Sequence, residues 1–328
     1  MTPQDFVKEI CTEQGIKLES LSYGYITRLT KGDVVRHMIG AHLDANNAAA
    51  DRIACDKCAC YAVLNSCNIP AVRHELLMHP VRRLGSVGGT GTWSQALDYF
   101  QQYGQKVVVK PNQGSNGRNL FLCSTITELE VAVQSIFETQ PDAAISPFYD
   151  VKAEYRVFYA FGKCMFVYGK TTSEGGWMHN LSQGATAFEL GCDNDNVSTK
   201  KAAIISLAKR AAEAIGINFA TVDILELREG EQRERFPFAG EQRQRFPFAS
   251  EQRQRPPFAG EQHEHPAFSN KLIVMEINAG VQARQLVEQK PHLHATMKEI
   301  YKRAIDAMFY SMPYSHTSPQ KHAPKLEE

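Results

Sequence analysis

No apolar run in this 328-residue chain approaches the roughly 20 residues that a helix needs to cross a bilayer, which excludes a membrane-spanning helix. A surplus of charge is missing too. Lys and Arg total 36 and Asp and Glu total 36, so no global field draws the chain to nucleic acid or an anionic membrane. We therefore expect neither as a partner, and any anion site must be built from a few local groups. The N-terminus, Met1-Thr2-Pro3-Gln4-Asp5, has no basic region and no apolar stretch of the secretory kind, which gives a cytoplasmic expectation. Phosphate binding of the Walker type is not expected from the glycine loop at 111–117, because it does not end in Gly-Lys-Ser or Gly-Lys-Thr. Disulfide stapling is not needed in a chain of this length, so the eight scattered cysteines are expected as thiols. Cys55 and Cys58 have the spacing of a metal-ligand pair, but no second pair of matching spacing follows. With Cys60 and Cys67 they fall in an Ala-rich stretch of helical period, which favours small packing residues over zinc ligands.

What is present is an ordinary globular composition, 43% hydrophobic and 22% charged, over a length that predicts two or three subdomains. Periodicity and breakers predict helices over 2–14, 47–67, 94–103, 127–138, 197–215 and 293–312. Strands are expected near 18–29 (one extended stretch), 71–77, 106–110 and 119–123. Two apolar runs around Gly162-Lys163 form a hairpin, and 219–227 and 271–277 read as strongly apolar strands. Between these last two lies a ten-residue repeat over 230–269, beginning Gly230-Glu-Gln-Arg-Glu-Arg-Phe-Pro-Phe-Ala239. Its period is shorter than that of the familiar solenoids, which start near 20 residues. Its proline and charge density favour an expanded, disordered loop at a hairpin tip over a docking segment with aromatic and cationic contacts.

The chemistry is clearest near the end. Asp223 sits inside the apolar run 220–225, and Glu276 and Asn278 lie in Val274-Met-Glu-Ile-Asn278. Carboxylates in such strands are costly unless paired or metal-bound. Alternation places Glu276 and Asn278 on one face. If the two strands pair, Asp223 joins them as a third oxygen ligand suited to Mg²⁺ and bridging phosphates, unless Glu276 simply pairs with a lysine. Upstream, Lys110 precedes the loop Pro111-Asn112-Gln113-Gly114-Ser115-Asn116-Gly117, whose backbone amides can wrap phosphate oxygens. Arg284, six residues beyond Asn278, is either a bidentate holder of a substrate carboxylate or a surface arginine.

This order of features resembles the ATP-grasp superfamily from about residue 46 to 308, interrupted by the repeat. The resemblance implies an α+β fold with two α/β lobes clamping ATP and a shortened N-terminal region. It divides the chain into a short N-terminal region (1–70), a first lobe (71–145), a second lobe carrying the repeat (146–312) and a disordered tail (313–328). It implies ATP contacts from Lys57, Lys110, the loop residues Gln113, Gly114, Ser115, Asn116 and Gly117, the hinge at Phe148, and Glu154 on the ribose. It implies Mg²⁺ (or Mn²⁺) on Asp223, Glu276 and Asn278. Lys170 and the segment Asn180-Leu-Ser-Gln-Gly-Ala185 look like the acyl-phosphate loop of glutathione synthetases, cyanophycin synthetases and ribosomal-protein glutamyl ligases, with Arg156 facing the same site. D-Alanine ligases carry an arginine two residues before the metal aspartate, where this chain has Thr221. The implied activity is ATP-dependent joining of a carboxylate to an amine, on amino acids or a peptide. A ligase for a large protein acceptor, a non-catalytic ATP-binding scaffold and a homo-oligomer are left open.

Overall fold

The computed structural model describes residues 1–79, 93–114, 119–172, 176–190, 195–228 and 271–310. Ser115, Asn116 and Gly117, the 230–269 repeat and the 313–328 tail lie outside these residues.

The chain starts with helix α1 (Pro3–Gln14), set by a capping box between Thr2 and Asp5 and by Pro3 in the first turn. It buries Phe6, Val7, Ile10 and Cys11 along one face. Four antiparallel strands follow: β1 (Lys17–Leu21), β2 (Ile26–Lys31), β3 (Val34–Ile39) and β4 (His42–Leu43). The single extended stretch expected near 18–29 is thus two strands. Ser22, Tyr23 and Gly24 all take positive φ there and reverse the chain.

The helix expected over 47–67 is also two elements, α2 (Ala48–Cys55) and α3 (Lys57–Ser66). Asp56 leaves helical geometry at φ −110°, ψ 111°, and its side chain accepts from the Ala59 amide at 2.8 Å. An aspartate offered as an N-cap outweighs the helical propensity of its neighbours. The break aims the start of α3 at the loop after Lys110: the Lys57 amide donates to the Asn112 carbonyl and the Cys58 amide to Asn112 Oδ1.

A second antiparallel sheet, in the order β5-β8-β6-β7, comprises β5 (Glu75–Met78), β6 (Val107–Pro111), β7 (Phe121–Cys123) and β8 (Asp142–Pro147). Helices α4 (Trp93–Gln102) and α5 (Ile126–Thr139) cover the face that carries Val107 and Val109. Period-two alternation then turns Lys110 to the opposite face.

The third sheet holds β9 (Val151–Ala160), β10 (Lys163–Thr171), β11 (Thr186–Glu189), β12 (Phe219–Leu227) and β13 (Leu272–Asn278), in the antiparallel order β11-β10-β9-β12-β13. Tyr155, Val157, Tyr159, Ala220, Val222 and Ile224 pack on α2, α3 and the long helix α6 (Asp195–Ile215). On the other face, Phe158, Ala160 and Phe219 pack against α1, α7 (Arg284–Gln289) and α8 (His294–Tyr310), where Phe6 stacks on Tyr301 at 5.0 Å. The sheet is therefore sandwiched at one end, and at the other end its second face carries polar side chains.

Gly169 of β10 lies opposite Phe188 of β11, whose ring would stand 2.0 Å from a Cβ added there. Gly169→Ala is expected to lower stability by about 1–3 kcal/mol through overpacking. A thermal melt checks this, and an unchanged melting temperature would show that Phe188 moves aside freely.

Candidate active site

The register of the third sheet lines up its polar residues. Tyr168 of β10, Arg156 of β9, Asp223 of β12 and Glu276 of β13 form one cross-strand row. Lys170 stands opposite Glu154, and Thr221 opposite Asn278, in the neighbouring rows. The apolar residues between them face the α6 side, so alternation alone puts this set on one face.

That face, the Lys110 face of the second sheet and the start of α3 enclose a cavity of about 190 Å³. Lys57, Lys110, Gly114, Phe148, Glu154, Arg156, Lys170, Asn180, Glu276 and Asn278 all line it. Gln113 is not among the lining residues and forms a bridge with Asp56.

Behind the surface is a buried cluster of two cations and two carboxylates. Arg156 forks onto Asp223, Nε to Oδ1 at 2.7 Å and Nη2 to Oδ2 at 2.6 Å. Lys170 Nζ donates to Glu154 and lies 3.7 Å from Asp223 Oδ1. Burial pushes the Asp223 carboxyl up, but the Arg156 guanidinium and the Lys170 ammonium hold it below its ordinary range. Glu154 is pushed up to about 7 by burial, against the pull of Lys170. Lys170 itself is held above its ordinary value by Asp223 and Glu154, against burial and Arg156.

Asp223 departs from the three-ligand expectation. It is fully buried, does not line the cavity, and also accepts from Asn278 Nδ2 at 3.3 Å. Its oxygens serve Arg156, Lys170 and Asn278 rather than an open ligand position. Glu276 is half-buried, accepts from Asn278 Nδ2 at 3.2 Å and makes no ion pair among the described residues. An unpaired carboxylate at a cavity wall with an amide oxygen beside it fits a hard divalent cation.

Arg284 is absent from the cavity. It opens α7, is largely exposed and donates to Glu288 at 2.8 Å, one turn on. Gln282 and Gln285 line the cavity from this segment instead. Lys57 Nζ donates to the carbonyls of Asn112 (3.3 Å) and Gly114 (3.0 Å), so it grips the start of the glycine loop. Burial lowers the Lys110 ammonium to about 8, with Lys57 pushing the same way and Glu276 and Glu154 pulling it up.

Two lining residues, Tyr168 and Trp177, were not singled out from the sequence. Tyr168 was within reach, since it alternates with Lys170 on one face. Trp177 meets Phe148 edge-on at 6.3 Å, and Lys106 Nζ sits 4.0 Å over the Phe148 ring. His179 is buried in the wall, and burial and Lys170 lower it to about 4, so it is neutral at pH 7. Loop residues of this kind carry no periodic signal. The four cysteines weighed as zinc ligands do not gather: Cys55, Cys58, Cys60 and Cys67 are all free thiols, with no three of them within ligating distance of one another.

No family model matches the sequence, and no curated protein matches it. Solved structures do. A D-alanine–D-alanine ligase from Bacillus anthracis superposes with a TM-score of 0.50 at 13% identity, covering 80% of this chain and 71% of that one. The same ligase complexed with ATP gives the same score and identity, with 70% of its chain covered. At such low identity the likeness concerns architecture. The chain has the ATP-grasp fold.

Proposed function

We propose that this chain is an ATP-dependent ligase that joins a carboxylate to an amine through an acyl phosphate. The observation that carries this reading is the convergence on one cavity of Lys57, Lys110, Lys170 and Arg156 with the unpaired Glu276 and its neighbour Asn278. Four cations and an unpaired carboxylate suit a polyphosphate with its counter-ion better than any apolar ligand. The fold supports the reading, since one solved neighbour is a ligase complexed with ATP.

In this account the nucleotide phosphates lie between Lys57, Lys110 and Lys170, and the base lies toward Phe148 and Trp177. Glu276 and Asn278 would hold Mg²⁺, which when bound neutralises phosphate charge. Lys170 and Arg156 are fixed by Glu154 and Asp223, so their charge stands in place before the reaction and needs no reorganisation. A substrate carboxylate oxygen attacks the γ-phosphorus and ADP leaves. An amine then attacks the acyl carbon, and phosphate leaves with the amide formed. Asn180, which lines the same cavity as Lys170, would reach toward the transferred group, as in the glutathione synthetase type of site. Thr221, buried where D-alanine ligases have arginine, argues for an acid other than D-alanine.

The test follows an atom. With Mg-ATP and a mixture of amino acids labelled with ¹⁸O in their carboxyl groups, one labelled oxygen is expected in each phosphate released. Unlabelled phosphate would sink the acyl-phosphate step.

A second expectation concerns pH. An ordinary lysine titrates at 10.5, and Lys110 is lowered to about 8. Bound phosphates favour its charged form, so nucleotide binding takes up a proton where free Lys110 is neutral. Nucleotide affinity should therefore fall as the pH rises above about 8. Calorimetry in buffers of different ionisation enthalpy should show proton uptake that Lys110→Met removes. A flat profile from pH 7 to about 9.5 would contradict this placement of Lys110.

A further inference from the structure

Outside the cavity, one cluster of side chains combines three different metal-binding chemistries. A ring nitrogen of His42, a carboxylate oxygen of Asp51 and the Cys55 sulfur lie within 4.8 Å of one another. Asp51 and Cys55 are four residues apart on α2, so they share one helix face. His42 comes from β4 of the first sheet, and its Nδ1 is 3.2 Å from Asp51 Oδ1. Tetrahedral zinc, with bonds of about 2.0–2.3 Å, separates its ligand atoms by roughly 3.5 Å, so these donors need only small shifts to converge on one ion.

The surroundings fit a ligand set. Asn46, just before α2, is anchored: its Nδ2 donates to the Phe219 carbonyl at 2.9 Å, and its Oδ1 accepts from the amides of Asn218 and Phe219. These bonds fix the chain where it enters α2, the helix that presents Asp51 and Cys55. The His42 ring is held on its far side by Gly280, where a Cβ would stand 2.9 Å from Nε2. All three residues are only partly buried, which leaves an entry path. A thiolate and a carboxylate together balance a 2+ ion. A sulfur ligand selects against Mg²⁺ and Ca²⁺ and favours zinc.

We propose that His42, Asp51 and Cys55 form a zinc site, completed by water, that ties β4 and α2 to the backbone at Gly280 on the cavity wall. The site is separate from Glu276 and Asn278 and would brace that wall without touching the reacting groups. Cys55 gives up its proton on binding, and no redox change is involved.

The full chain is titrated with Zn²⁺ against a chromophoric chelator, with Mg²⁺ in excess to occupy any hard-cation site. One equivalent is expected to bind. Affinity should fall about 100-fold or more in Cys55→Ser and His42→Gln, and stay unchanged in Cys58→Ser and Glu276→Gln. Co²⁺ in place of zinc should give a sulfur-to-metal charge-transfer band that Cys55→Ser removes. Zinc should also protect Cys55 of the unmodified chain from alkylation, as read by peptide mass, which decides the matter even if a variant misfolds. No saturable zinc under excess Mg²⁺, or binding indifferent to Cys55→Ser with Cys55 alkylated at the same rate, would reduce the cluster to a His–Asp pair beside a thiol.

Discussion

Glu276→Gln is expected to lower turnover about a thousandfold or more while leaving the fold intact. The carboxylate makes no ion pair among the described residues, so removing its charge breaks no salt bridge. The replacement amide keeps the shape and can still meet Asn278, and stability should move by less than about 1 kcal/mol. The activity loss follows from the proposed role: a metal ligand on a phosphoryl-transfer path would support several kcal/mol of transition-state stabilisation, at about 1.36 kcal/mol per tenfold. A secondary effect is diagnostic. Glu276 pulls the Lys110 ammonium up, so its loss should shift the pH dependence of nucleotide affinity to lower pH. Wild-type turnover in this variant would remove Glu276 from the chemistry.

Asp223→Ala should do the reverse and act first on stability. Arg156 and Lys170 both depend on this carboxylate, and its removal leaves a buried guanidinium without its bidentate partner. Breaking a buried pair from one side costs about 3–5 kcal/mol, or roughly 6–20 °C in melting temperature. Arg156→Met in an Asp223→Leu background should recover much of the loss, because it removes both charges together. The sign with pH is fixed by the pairing. The folded carboxyl titrates below its ordinary 3.8, so the stabilisation is complete above that value and is lost as the pH falls through the folded value. An Asp223→Ala protein that melts like the wild type would show the cluster to be energetically idle.

These two residues also show how far the sequence could be read. Charged residues inside apolar strands identify themselves, because their cost demands a partner. The shared face of Glu276 and Asn278 followed from alternation, and the pairing of β12 with β13 brings Asp223 beside Glu276. What alternation could not show is which partner each carboxylate takes. Asp223 and Glu276 are cross-strand neighbours, yet one faces two cations and the other faces the cavity. Arg284 fails for a related reason. Its position after the last strand gave proximity but no direction, and the start of α7 turns Gln285 and Leu286 to the cavity while Arg284 points to solvent. The break at Asp56 was hidden by an Ala-rich surround with helical period, and only the N-cap aspartate marked it. The strands near the N-terminus were blurred because much of their surface is exposed, which weakens the contrast that reveals a strand.

The most direct test of the central claim is phosphate release from Mg-ATP by the wild type and Glu276→Gln, against amino acids supplied singly and in pairs. The account predicts release that requires both an acid and an amine and is lost in the variant. Release that needs no second substrate, or that persists in Glu276→Gln, would contradict it.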